Sequence, residues 1–146
     1  MRVDGEWLDC DDGESRPIVR ADVLGGDGVW RAAEFLVDTG ADRTVLSGNA
    51  LAAAQLEPID SDRHVGGIGG AVESVIVRTT LRLTRDDGVN VALRGEYAAF
   101  VQFEELEMSI LGRDILNMFS LIIDRQKNLV TFLRDKHFYV VQRQGG

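Results

Sequence analysis

Glu34-Phe35-Leu36-Val37-Asp38-Thr39-Gly40-Ala41-Asp42 runs from an apolar, extended-type segment straight into an acid and a glycine-containing turn. An acid delivered at the end of a buried strand is held by the fold and not left to a flexible loop. Upstream, Val19, Ala21 and Val23 alternate with Arg20 and Asp22, and Gly25-Gly26-Asp27-Gly28 then leads into the extended run Val29 to Val37. This pattern predicts a β-hairpin whose second strand ends at Asp38. Downstream, Val75, Val77, Thr79, Leu81 and Leu83 alternate with Ile76, Arg78, Thr80, Arg82 and Thr84, the period-two signature of a strand. Asp86-Asp87-Gly88 marks a turn before Val89, Val91 and Leu93, and Gln126-Lys127-Asn128 separates Leu121-Ile122-Ile123 from Leu129 to Leu133. Two helical pieces are predicted: Gly48 to Gln55, with Ser47 as N-cap and Pro58 beyond its end, and a short one near Arg113 to Phe119. The expected fold is all-β and mainly antiparallel.

The chain has 146 residues, of which 45% are hydrophobic, enough for one domain with a real core. We expect a single domain over 1–146, its core at about 15–133, with 1–13 an acidic extension and 134–146 an edge strand and frayed tail. A net charge of -8, with Lys and Arg scattered along the chain, argues against nucleic acid as a partner. Cys10 is the single cysteine, so no intramolecular disulfide and no cysteine-based metal site can form, a usage that suits a cytoplasmic location. Residues 1–14 lack a basic segment followed by an apolar one, and no stretch approaches the roughly 20 apolar residues of a membrane span, so no membrane association is expected. His64 and His137 sit in no metal-pair or nucleophile-base spacing. Asp9, Asp11, Asp12 and Glu14 do not satisfy the EF-hand pattern and are expected to be solvated; Glu104, Glu105 and Glu107 are expected at the surface as well, with the alternative that they form a cleft rim favouring basic residues in a substrate.

Asp38-Thr39-Gly40 by itself arises by chance in a chain this long with odds on the order of a few per cent. Two later features follow it in order: the glycine-rich Val65-Gly66-Gly67-Ile68-Gly69-Gly70-Ala71, and Ile110-Leu111-Gly112-Arg113-Asp114-Ile115-Leu116. With these three motifs, spread from about Pro17 to Asp124, the sequence resembles the retropepsin family of aspartic peptidases. The resemblance implies a closed or partly open β-barrel-like fold and an endopeptidase that needs no metal or cofactor. It places the catalytic acid at Asp38, in the loop Asp38-Thr39-Gly40, a flap at Gly66, Gly67, Ile68, Gly69 and Gly70, and a brace at Ile110 to Arg113 including Gly112.

Peptide hydrolysis by water needs one carboxylate to take a proton and a protonated acid to polarise the scissile carbonyl. One Asp cannot do both, and no second Asp-Thr-Gly or Asp-Ser-Gly occurs here. The resemblance therefore implies a homodimer acting on peptide or protein substrates, each subunit supplying one Asp38. Thr39 is expected to bond across the two-fold axis, and Gly40 to allow close backbone approach. Ala41 stands where many relatives carry Ser, whose hydroxyl stabilises the charged carboxylate. Asp42 and Arg113 match an ion pair under the active-site loop, a bidentate role suited to a guanidinium. Asp114 receives no catalytic role. Val45, Val65, Met108 and Ile110 align with subsite walls that would favour apolar substrate side chains. The competing expectation is a dimerisation or peptide-binding module that keeps this fold without useful turnover, against which the intact Asp38-Thr39-Gly40 argues.

Overall fold

Alternating apolar and polar residues set the strands of the computed structural model, which describes residues 1–67, 70–102, 108–135 and 142. Two short strands open the chain, β1 (Arg2–Asp4) and β2 (Glu6–Asp9). The predicted hairpin follows as β3 (Ser15–Leu24) and β4 (Trp30–Val37), paired from Ile18↔Leu36 to Leu24↔Trp30. Its turn carries Gly28 at φ +80°, a conformation that favours glycine. After the Asp38 loop come β5 (Val45–Leu46) and helix α1 (Gly48–Ala54). The Ser47 side chain caps α1 by accepting from the Ala50 N–H, and Gln55 ends the helix in the left-handed region.

The hairpin of β6 (Asp60–Gly67) and β7 (Gly70–Thr84) pairs as far as Gly67↔Gly70, and β7 pairs along its length with β8 (Asn90–Phe100). β9 (Ser109–Leu111) and the single turn α2 (Arg113–Leu116) precede a last hairpin, β10 (Ser120–Asp124) and β11 (Leu129–Leu133). Eight strands form one sheet in the order β2-β3-β4-β9-β5-β8-β7-β6, and β3 also meets β7 at Asp22↔Arg82 and Val23↔Leu81. That contact closes β3, β4, β9, β5, β8 and β7 into a ring. A second sheet, β1-β11-β10, packs Val3, Val130 and Phe132 into the same core as Phe35, Leu46, Val77, Leu81 and Leu111. Fully burying an aliphatic or aromatic side chain of this size contributes roughly 1.5–3 kcal/mol, so both sheets are held by the ring interior.

Several elements differ from the sequence expectations. Residues 2–9, expected as an extension, form two strands; Val3 is 1% exposed and pairs with Phe132, because Val3, Trp7 and Leu8 supply apolar positions among the acids. The β4–β9 and β5–β8 pairings are parallel within an otherwise antiparallel sheet. The helix expected to reach Phe119 stops at Leu116, and tighter turns, Met118 N–H to Ile115 O and Phe119 N–H to Leu116 O, carry the chain until the Phe119 ring packs on Phe132 with centroids 5.6 Å apart. Of the expected C-terminal edge strand, Arg134 and Asp135 are not extended into β11, and 136–141 and 143–146 lie outside the described residues. No helix among the described residues is long and apolar enough to cross a membrane.

Candidate active site

Asp38 follows β4 directly, and its N–H donates to Leu111 O at 3.1 Å, continuing the parallel ladder that ends at Val37↔Leu111. The acid is therefore positioned by two buried strands, Val37 and Leu111 being 6% and 0% exposed. From there the chain turns sharply: Ala41 N–H returns to Asp38 O at 3.2 Å, and Gly40 N–H donates to the Asp38 carboxylate at 2.9 Å. A backbone donor aimed at a carboxylate orients it. A side chain at position 40 would place its Cβ 3.2 Å from the Asp38 oxygen, close enough to displace the group being oriented. Asp38 is half-buried, while Thr39 and Gly40 are exposed at the tip of the turn.

The loop is fastened to the segment after β9. Arg113 N–H donates to Ala41 O at 2.8 Å, and Asp114 N–H to Asp42 O at 3.2 Å. The Arg113 guanidinium pairs with the Asp42 carboxylate and reaches Thr39 O at 3.5 Å. Gly112 lies so close that a Cβ there would meet the Arg43 backbone at 2.4 Å, which explains a glycine before Arg113 without any appeal to unusual φ.

A second fastening has no counterpart in the sequence expectations. The Asp114 carboxylate accepts from Thr44 N–H at 3.0 Å, from Thr44 Oγ1 at 2.7 Å and from Ile115 N–H at 2.9 Å, while Gly112 N–H donates to Thr44 Oγ1 at 3.1 Å. Thr44 is fully buried. Deeper still, Ser109 Oγ accepts from Ser47 N–H at 3.0 Å, both serines being buried. Thr44 and Ser109 each sit beside buried aliphatic residues, Val45-Leu46 and Ile110-Leu111. A polar residue next to such a run must find an internal partner, and that is the signal that marks them.

The expected subsite residues divide. Val45 and Ile110 face each other across β5 and β9 and pack in one apolar cluster with Ile76, Ala98 and Phe100. Met108 instead lines a separate cavity of about 400 Å3 between β4 and α1, beside Ser47, Ala50 and Ala53, so it does not join Val45. Val65, Gly66, Gly67 and Gly70 lie on the β6–β7 hairpin, in register Val65↔Val72 and Gly66↔Ala71; Ile68 and Gly69 lie outside the described residues. Among the described residues no group of three or more His, Cys, Asp or Glu is arranged to hold a metal ion.

The sequence pattern of the family described as retroviral aspartyl protease matches residues 13–124. No curated protein sequence matches the chain significantly. Among solved structures, a retropepsin-like aspartic protease from Rickettsia conorii superposes with a TM-score of 0.54 at 17% identity, over 90% of each chain. EIAV protease in complex with an inhibitor is 27% identical, over 71% of this chain and 88% of its own, with a TM-score of 0.49. The retroviral protease-like domain of Ddi1 from Leishmania major is 16% identical over 81% of this chain and 94% of its own, TM-score 0.47. The Rickettsia likeness is one of fold, and the three ordered motifs fall within the matched stretch.

Proposed function

This chain belongs to the retroviral aspartyl protease family, and on that premise we propose that it is an aspartic endopeptidase in which Asp38 and its symmetry mate form one catalytic dyad across a homodimer axis. The observation that carries this reading is the held carboxylate of Asp38, half-buried at the end of β4, bonded by Gly40 N–H and carried on a loop tied to Arg113. One carboxylate per chain is half of what the chemistry needs. Two carboxylates about 3 Å apart cannot both ionise and so share a proton, the behaviour for which aspartic protease dyads are known. In that state the ionised Asp38 takes a proton from the attacking water as the protonated one polarises the scissile carbonyl. The tetrahedral intermediate then collapses as a proton passes to the leaving amine, and no metal or cofactor takes part.

In this reading the exposed Thr39 hydroxyl bonds to the partner's loop and keeps the two carboxylates coplanar, while Ala41 offers them a methyl group and no hydroxyl donor. Asp42, fixed by Arg113, presents its free oxygen to the substrate backbone. The β6–β7 hairpin, with Gly66, Gly67 and Gly70 on its strands, closes over the bound peptide as a flap and excludes water. Val45 and Ile110 form apolar walls around the scissile bond. The second sheet supplies a surface for the partner: β10 is an edge strand with β11 as its neighbour, and Ile122 and Ile123 are exposed on it. An open strand edge carrying exposed isoleucines is a liability for a lone molecule and a ready interface for two. The single cysteine, Cys10, fits a cytosol-like compartment.

The test is cleavage of an unstructured peptide library by the wild-type protein and by Asp38→Asn. We expect cleavage by the wild type and loss of it by at least about 1000-fold in the variant, since the dyad acts as a unit. Equal cleavage by both proteins would exclude Asp38 as the catalytic acid.

A further inference from the structure

Beside the Asp38 loop lies a cavity of about 540 Å3, larger than the one between β4 and α1. Its floor is apolar, made of Ile59, Ile76 and Ala98, and two of these belong to the cluster that contains Val45 and Ile110. The cavity therefore shares two side chains with the cluster proposed as walls of the substrate cleft. Its rim is charged, and the charges differ in whether they are already satisfied. The Asp114 carboxylate takes both donors of Thr44 and the Ile115 N–H. Glu96 is paired with Arg78 at 2.7 Å, and Asp60 is engaged as well. Arg43 is the exception: its backbone is pinned against Gly112, yet its exposed guanidinium makes no hydrogen bond and no ion pair among the described residues.

A guanidinium presents up to five donors in a planar fork that fits a carboxylate in a bidentate manner. Here that fork stands over an aliphatic floor, five residues beyond Asp38, on a backbone with little freedom to move. The combination suits a side chain with a short aliphatic stem and an anionic head. A lysine or arginine would find the neighbouring carboxylates occupied and the one unpaired group of its own sign.

We propose that Arg43 is a specificity-determining residue that binds the carboxylate of an Asp or Glu side chain of the peptide substrate, with the stem of that side chain lying on Ile59, Ile76 and Ala98. The inference rests on the endopeptidase reading and names the substrate class that reading leaves open. The preference belongs to one substrate position outside the pair flanking the scissile bond, the pair that the endopeptidase reading gives to Val45 and Ile110.

The experiment compares matched peptides differing only at that position, with Glu, Ala or Lys, found by profiling a cleaved peptide library. In the wild type, kcat/KM for the Glu peptide should exceed that for the Ala peptide by about 10-fold, the size expected of a charge-assisted pair at a partly open site. Arg43→Gln should abolish this ratio, Arg43→Lys should retain part of it, and Arg43→Glu should reverse it in favour of Lys. A ratio unchanged in Arg43→Gln and Arg43→Glu, or a wild-type preference for Lys, would overturn the proposal. A parallel arm measures binding of the same peptides to Asp38→Asn and to Asp38→Asn carrying Arg43→Gln. If the wild type cleaves nothing, the endopeptidase reading fails by itself. The inference about Arg43 then stands on Glu-peptide binding that is lost with Arg43→Gln, and it falls if no such difference is seen.

Discussion

Two acid-centred bridges tie the Asp38 loop to the segment after β9, and they differ in the burial of the partner that each acid meets. Asp42 and Arg113 meet at the surface, with side chains 80% and 46% exposed. Asp114, itself exposed, meets Thr44, which is fully buried, and Thr44 Oγ1 in turn accepts from the buried Gly112. An exposed ion pair is weakened by water and salt and by the entropy of holding two long side chains, so it stabilises little. A buried network is costly to leave half-made, because each orphaned donor or acceptor retains its desolvation penalty. The comparison assigns different tasks to neighbouring acids. Thr44 with Asp114 holds the loop in place, whereas Asp42 with Arg113 lies on the exposed face that the proposed function turns toward substrate and partner.

The largest expected effect from breaking the comparison is Thr44→Val, which keeps shape but removes the acceptor for Gly112 N–H and one donor to Asp114. We expect about 2–4 kcal/mol of lost stability by chemical denaturation, and a loss below about 0.5 kcal/mol would mean that the network is not what holds the loop. Asp42→Asn should lower stability by less than about 1 kcal/mol while lowering kcat/KM by more than that loss explains. A variant with wild-type kinetics and a large drop in stability would reverse the roles given to the two bridges.

The smallest effect is spectroscopic. Burial, and secondarily the negative charge of Asp114, push the Tyr97 hydroxyl up to about 12 from its ordinary value near 10. Because the folded state holds this proton more tightly than the unfolded chain, Tyr97 contributes stability below about pH 10 that is lost as pH rises toward 12. Ultraviolet titration should show Tyr97 ionising late, and earlier in Asp114→Asn. No change in that variant would separate Tyr97 from the Thr44–Asp114 bridge.

What could be read from the sequence follows the same division. The β3–β4 and β7–β8 hairpins were legible because long strands repeat their period many times and glycine-bearing turns punctuate them, and α1 was legible from the Ser47 cap. The Asp42–Arg113 pair could be read because each member lies in a recognisable motif, Asp42 in the stretch that holds Asp38-Thr39-Gly40 and Arg113 directly after Gly112. The parallel pairings could not, since β5 has two residues and β9 three, too few to show any period. Thr44 and Asp114 were invisible as a pair for a related reason: one threonine and one aspartate 70 positions apart carry no pattern, and only the fold brings them together. The N-terminal strands were masked by acids that point outward while Val3 points in.

The central claim is that each chain holds half of a site, and mixing subunits tests it most directly. Wild-type protein at fixed concentration is equilibrated with an equal amount of Asp38→Asn, and peptide cleavage is followed. If a working dyad needs an Asp38 from both chains, random pairing leaves about a quarter of the dimers wild type on both sides, and activity falls to about half. Activity unchanged by the added variant would contradict the shared dyad.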